Sequence, residues 1–379
     1  MVFIAFVVGA EDIFPQDTVR IVLQNDEIQI ADLMGIAVLI QGISKLQIRI
    51  MQRVGRMDQL ASIRRYVLDD GKGRGSRAFE VRNGSGLTFT VYPDKGLDIG
   101  PAEYNGLPLA WMTPNGAVAP AFYDDQGAEW LRSWSAGLLT TCGLLNVGTP
   151  CETDEGHQGQ HGRFDHIPAE EVNARCYWDG PRYVLEITGT VAQTRVFGEK
   201  LVASRTIRTW LGSPAIEISD RIENRGYKTM PLMVLYHMNL GWPLVDDCAE
   251  LVAADHPVLP RDDYGDQAVA EWSRINPPVA NIPEQVFYHD LPADGDGMCA
   301  VAIRNRARKV ALEVSFRKRE LPHFVHWKMN GAGEYVIGIE PANCYPEGQN
   351  AVAKRGLLRH IEPGETVETL VRVRLSDLA

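Results

Sequence analysis

Leu87-Thr88-Phe89-Thr90-Val91 alternates apolar and polar side chains and stops at the turn Pro93-Asp94-Lys95-Gly96. Strand side chains alternate between faces with a period of two, so the run reads as one strand with a single buried face. The same signature recurs in both directions. Leu185-Glu186-Ile187-Thr188, Ile216-Glu217-Ile218-Ser219 and Val371-Arg372-Val373-Arg374-Leu375 alternate in the same way. Upstream, Ile63 to Leu68 leads into a glycine-rich turn at Gly71 to Gly75. Half-exposed runs separated by glycine, proline, asparagine and aspartate belong to antiparallel sheets. Hardly any segment after residue 60 carries an apolar stripe of helical period. The expected class is all-β: one large antiparallel β-sandwich with few short helices. Ala254 to Pro283 is poor in strand signal and holds five prolines. It reads as a long surface excursion of the kind that lines sites.

The beginning of the chain reads differently. Met1 to Ala10 is apolar but lacks the basic start of a secretory signal, which argues against secretion. Leu33 to Ile43 is about half the length needed to cross a bilayer, so a transmembrane span is rejected. Ala31 to about Val54 is compatible with an amphipathic helix. The 379 residues are 45% hydrophobic and 23% charged, ordinary for a soluble globular protein. The net charge of -11 disfavours nucleic acid and anionic membrane as partners. Cys142, Cys151, Cys176, Cys248, Cys299 and Cys344 form no C-x-x-C pair, and their wide spacing fits reduced thiols in the cytoplasm.

Five segments could carry chemistry. Leu235-Tyr236-His237-Met238-Asn239-Leu240-Gly241-Trp242-Pro243 sends His237 and Asn239 to the same side of a strand, ahead of a Gly-Trp-Pro turn. The stretch from Glu155 to Arg163 sets His157, His161 and Arg163 among three glycines, which let a backbone approach a ligand. Those glycines disfavour the helix that would align His157 and His161 on a metal. Tyr335 to Cys344 delivers Glu340 at the end of an apolar strand, stopped by Pro341. His323-Phe324-Val325-His326-Trp327-Lys328 and Trp130-Leu131-Arg132-Ser133-Trp134 add aromatic surface and charge. Each has a plain structural reading: a satisfied core histidine, a surface loop, a paired glutamate, a core tryptophan. Together, however, His237 and Glu340 could serve as an acid/base couple at neutral pH. Opening a cyclic hemiacetal needs one group to protonate the ring oxygen and another to take the anomeric proton. His161 or Arg163 would hold neighbouring oxygens, and no metal, nucleotide or organic cofactor is required.

The chain resembles the galactose-mutarotase-like superfamily, in an aldose 1-epimerase-like branch that is a domain of unknown function. The resemblance rests on Gly96-Leu97-Asp98-Ile99-Gly100, Trp130-Leu131-Arg132, Gly137 to Leu144, His161-Gly162-Arg163, Tyr236 to Gly241 and Gly338-Ile339-Glu340-Pro341. It runs from about Met51 to the C-terminus. It implies a β-supersandwich that binds a monosaccharide and interconverts its anomers, with His237 as general acid and Glu340 as general base. His161 would contact the ring oxygen, with Arg163 beside it. His157, Asn239, Asp98, Trp327, Lys328, Trp130 and Arg132 complete the expected substrate-binding set. Lys328 motivates a sugar acid as an alternative substrate. The step His237-Met238-Asn239 is shorter than in better-known mutarotases, and substrate choice is expected to differ there. Residues 1-50 have no counterpart in the superfamily, and residues 51-379 are expected to fold as a single domain without them. Two other readings stay open: sugar binding without turnover on the same fold, and a metal-dependent sugar isomerase that uses His157, His161, His237 and Glu340 as ligands. The oligomeric state is not legible.

Overall fold

A computed structural model of the chain describes residues 44–378, apart from 267. The chain divides into two compact units, Met1–Arg53 and Val54–Ala379. In the first, Ser44 caps the short helix Lys45–Met51, its hydroxyl accepting from the Gln47 amide. Most of the amphipathic segment expected from Ala31, and the apolar runs before it, lie outside the described residues. Among the described residues, no helix is long and apolar enough to cross a membrane.

The second unit is all-β, as the alternating runs require. One sheet has eight strands, in the spatial order Ala249–Ala253, Met298–Asn305, Val310–Arg317, Thr366–Asp377, Ala215–Asn224, Lys200–Trp210, Arg182–Thr194 and Glu170–Asp179. A second has six, in the order Val258–Pro260, Gln285–His289, His323–Gly331, Glu334–Ala342, Met233–Gly241 and Thr140–Leu144. A third, of five strands, runs from Ser62–Val67 to Leu107–Pro108 in chain order. The run that began the sequence reading is the strand Leu87–Tyr92, and residues 93–97 turn the chain into Asp98–Tyr104. The pairings within all three sheets are antiparallel. Ile216 lies opposite Val373 and Ile218 opposite Val371, so apolar side chains from neighbouring strands meet on one face.

The core draws Phe89 and Ile99 from the five-stranded sheet and Ile187, Ile218 and Val371 from the eight-stranded one. It takes Tyr236, Met238, Ile337 and Ile339 from the six-stranded sheet. The central strands of the six-stranded sheet are therefore covered on both faces. Its other face carries Met233, Leu235, Val325 and Ala342 in a second apolar cluster. A third cluster joins Trp130, Trp134 and Ala136 to the flanks of Trp111, Tyr123 and Trp327. Strands buried on both faces lose the clean polar alternation of a half-exposed strand, and Met233–Gly241 is buried throughout. Among its described residues, the excursion at Ala254–Pro283 holds a short strand, a one-turn helix Asp263–Asp266 and a 3-10 turn Val269–Glu271.

Candidate active site

Strand register assembles the central pair. The pairing of Leu235 with Ala342 and of Met238 with Ile339 sets His237 across from Glu340. On the far side of the glutamate strand, Trp327 lies opposite Gly338. His237 and Glu340 are both buried, and His237 Nε2 stands 3.2 Å from Glu340 Oε1. The contact is not aligned as a hydrogen bond, and Glu340 Oε1 and His237 Nδ1 have no partner. Gly338 makes room for the carboxylate: a Cβ there would lie 2.3 Å from Glu340 Oε1 and 2.9 Å from Trp327 Cβ.

Aromatic rings wall the pair. Trp134 and Trp327 each lie 5.4 Å from the His237 ring, and His161 lies 5.9 Å away. Trp130 packs 4.8 Å from His161 and 5.0 Å from Trp134. Trp111 closes the group at 5.6 Å from Trp134 and 6.3 Å from Trp327. The indole N–H groups are anchored outward. Trp134 donates to Thr140 Oγ1 at 2.9 Å, and Trp327 to Glu284 Oε2 at 2.7 Å. Trp130 donates to Asp165 Oδ1 at 3.1 Å. Tethers of this kind fix ring orientation before any ligand arrives. His161 sits in left-handed backbone, φ 58°, held by its N–H to the Gly148 carbonyl and by the Gly143 N–H to its own carbonyl. A strained non-glycine residue fixed from both sides is a frequent mark of a functional position.

Burial sets the charge state. It pushes His237 down to about 3, with His161 adding to the effect, and pushes His161 down to about 4 against the pull of Asp165 and Glu284. Burial also holds the Glu340 carboxyl well above the usual carboxylate range; Glu284 reinforces the shift and Arg261 opposes it. Both partners thus favour their neutral forms, and the couple carries one proton between them. His161 Nδ1, His237 Nδ1, Asn239 Oδ1 and Glu340 Oε1 are all buried without partners. Buried polar atoms are normally matched, so four unmatched atoms on three site segments mark a place suited to a hydroxyl-rich ligand.

The remaining expected residues divide by strand face. Asn239 shares the His237 face, but its amide is spent on the carbonyls of Gly137 and His237. Asp98 lies behind the sheet, bonded to Thr141 N, Thr141 Oγ1 and Arg205 Nη1. Burial lifts its carboxyl to about 7, against Arg205, and these three bonds all run to the chain itself. Lys328 follows Trp327 on the same strand and therefore faces the opposite side, where its ammonium donates to the Glu271 carbonyl at 3.3 Å. That placement removes the cation on which the sugar-acid expectation rested. Arg163 is half-exposed and ion-paired to Asp125. Arg132 is exposed and paired with Glu129 at 2.5 Å. His157 lies on a hairpin strand rather than in a free loop, with its nitrogens 2.6 Å from Glu152 Oε1 and 2.8 Å from the Asp125 carbonyl. With both ring nitrogens engaged there, His157 does not join His161, His237 and Glu340 as a fourth ligand. Among the described residues, the group with metal-ligand spacing is Asp246, Asp247 and Cys248, away from the pair. Trp111, Asp165, Gly338 and Glu284 were not picked out for roles in the sequence. Asp165 lies two residues beyond the His161-Gly162-Arg163 motif, which was the available signal.

The three sheets define a galactose-mutarotase-like β-sandwich. Residues 73–375 match the family described as a domain of unknown function, DUF4432, and the chain belongs to that family. No curated protein matches the sequence. A putative aldose 1-epimerase from Klebsiella pneumoniae is similar in structure at 25% identity and a TM-score of 0.79, over 84% of this chain and 86% of that one. A galactose mutarotase-like protein from Clostridium acetobutylicum aligns at 12% identity and a TM-score of 0.61, over 84% of this chain and 100% of that one. Galactose 1-epimerase from Lactobacillus acidophilus aligns at 11% identity and a TM-score of 0.55, again over 84% and 100%. The two more distant structures share the fold.

Proposed function

We propose that the protein is a cofactor-independent aldose 1-epimerase-type isomerase that interconverts the anomers of an uncharged monosaccharide. The observation that carries this reading is the 3.2 Å approach of His237 Nε2 to Glu340 Oε1 inside an aromatic-walled, buried site. Glu340 takes the proton from the anomeric hydroxyl while His237 protonates the ring oxygen. The bond from the anomeric carbon to the ring oxygen breaks, and an open-chain aldehyde remains. Rotation about the next carbon–carbon bond presents the other carbonyl face, and ring closure runs the two proton transfers backwards. Opening starts from carboxylate and imidazolium and ends with both groups neutral. Closure restores the charges, so the couple's single proton and the substrate's own suffice for a full cycle. The dry site favours the neutral pair and hence the step that opens the ring. The rings of Trp134 and Trp327 offer flat faces to the sugar's C–H surface, and the unmatched atoms of His161, His237 and Asn239 await its hydroxyls. An uncharged substrate is favoured because the arginines at the rim, Arg163 and Arg261, are already paired with Asp125 and Glu284.

Exchange NMR on a panel of aldoses tests the reading. The wild type should accelerate anomer exchange of at least one sugar, and Glu340→Gln should abolish exchange while sparing binding. A wild type that binds sugar without speeding exchange would assign the site to sugar sensing instead.

A further inference from the structure

Behind the aromatic wall lies a buried carboxylate that touches neither member of the proton couple. We infer that Asp165 is a positioning residue, holding Trp130 against His161 and supplying the negative field in which the site histidines receive a proton. The inference rests on the epimerase reading and names how that site is kept competent.

Asp165 sits on the 3-10 turn Phe164–His166, two residues beyond Arg163, and is fully buried. Its Oδ1 accepts from Trp130 Nε1 at 3.1 Å and lies 2.9 Å from His166 Nδ1. The His166 ring is stacked on Tyr123 at 4.5 Å, and its Nε2 reaches the Ser133 carbonyl at 3.2 Å. Trp130 is thus gripped at its N–H and packs, tilted, against His161, and His161 in turn abuts His237. Asp165 Oδ2 has no partner, so part of its charge is not consumed locally. Burial disfavours the charge, but His166, the nearby Lys95 and the Trp130 N–H outweigh it and keep the carboxyl below its usual range. The groups facing it are His166 on its own turn, Lys95 and Asp98 from the turn and strand beside it, Cys142 from the strand next to the His237 strand, and Tyr123 and His161 from the rim. Its charge favours protonation at both His161 and His237. A carboxylate buried this fully is costly unless it is used, and the proton couple needs an anion on the imidazole side to reach its carboxylate–imidazolium form.

Asp165→Asn separates the two jobs, because the amide oxygen can still accept from Trp130 while the charge is gone. In the full chain, the His161 imidazole followed by NMR should titrate about one pH unit lower than in wild type. The alkaline limb of the kcat profile should move down by a similar step, with kcat reduced roughly tenfold and KM little changed. Trp130→Phe, which keeps the charge and cuts the tether, should raise KM and leave the limb in place. Lys95→Met removes an opposing cation and should move the His161 midpoint upward, which keeps the test open if the Asn variant does not fold. A melting temperature that falls in Asp165→Asn with midpoint and limb both unmoved would reduce Asp165 to a structural residue and overturn the inference; so would an unmoved midpoint in Lys95→Met. The NMR arm needs no substrate, so it stands even if the wild type shows no anomer exchange.

Discussion

At the scale of single residues, the site depends on a missing side chain as much as on those present. Glu340 folds back over Gly338, and the backbone there is not left-handed, so alanine would meet no backbone strain of its own but would crowd both the carboxylate and Trp327 Cβ. Gly338→Ala is expected to lower the melting temperature modestly, through the crowding of Trp327 Cβ, and to lower kcat for anomer exchange by about 100-fold, since small misplacements of a reacting group are that costly. Retained exchange in this variant would mean that the carboxylate does not act from its present position. The residue scale also shows how the sequence misleads. Trp327 and Lys328 were both expected to face substrate, yet neighbours on a strand cannot share a face. The period of two already contained that correction.

At the scale of elements, Met233–Gly241 has two jobs, divided by that same period. Its odd positions bring His237 and Asn239 to the site. Its even positions bury Tyr236, Met238 and Leu240 in the main core. Tyr236 Oη donates to Asp220 Oδ2 at 2.6 Å, and Asp220 is held twice by Arg205, which also reaches Asp98. This network bolts the site strand to the five- and eight-stranded sheets. Arg205→Ala would strand two buried carboxylates and should cost about 3–5 kcal/mol in denaturant unfolding. A loss below 1 kcal/mol would show that the network is dispensable. None of this was legible locally. Alternation revealed Leu87–Tyr92 and the strand at Val371 because each alternates on its own, whereas the partners of Asp98 come from more than forty and more than a hundred residues away. The surroundings of His157 were hidden for the same reason: its hairpin partner Glu152 and the Asp125 carbonyl appear only once the chain has folded. The pairing of His237 with Glu340 came from chemistry and resemblance, and the register supplied its geometry.

At the scale of the whole molecule, buried ionisable groups set the acid limit. His237 and His289 are held down to about 3, and burial holds His326 well below its ordinary range. Each is neutral when folded and protonates on unfolding below its ordinary value near 6.5, so each withdraws stability as pH falls, by about 1.4 kcal/mol per pH unit. Glu340 and Asp98 act oppositely. Their raised values make the folded state the better proton acceptor above about 4.5, and that gain disappears once both states are protonated. Urea unfolding should therefore show a shallow pH dependence from 6.5 to 4.5 and a steep loss of stability below it. A uniform slope across both ranges would mean that these groups are not buried in neutral form. The aromatic wall has a consequence of another kind. Four of the chain's eight tryptophans, Trp111, Trp130, Trp134 and Trp327, stand around one histidine pair. Half of the tryptophans thus report on one small volume, and a ligand entering it would change what surrounds their rings. The protein carries its own optical probe, and occupancy can be read as a change in ultraviolet fluorescence without a label.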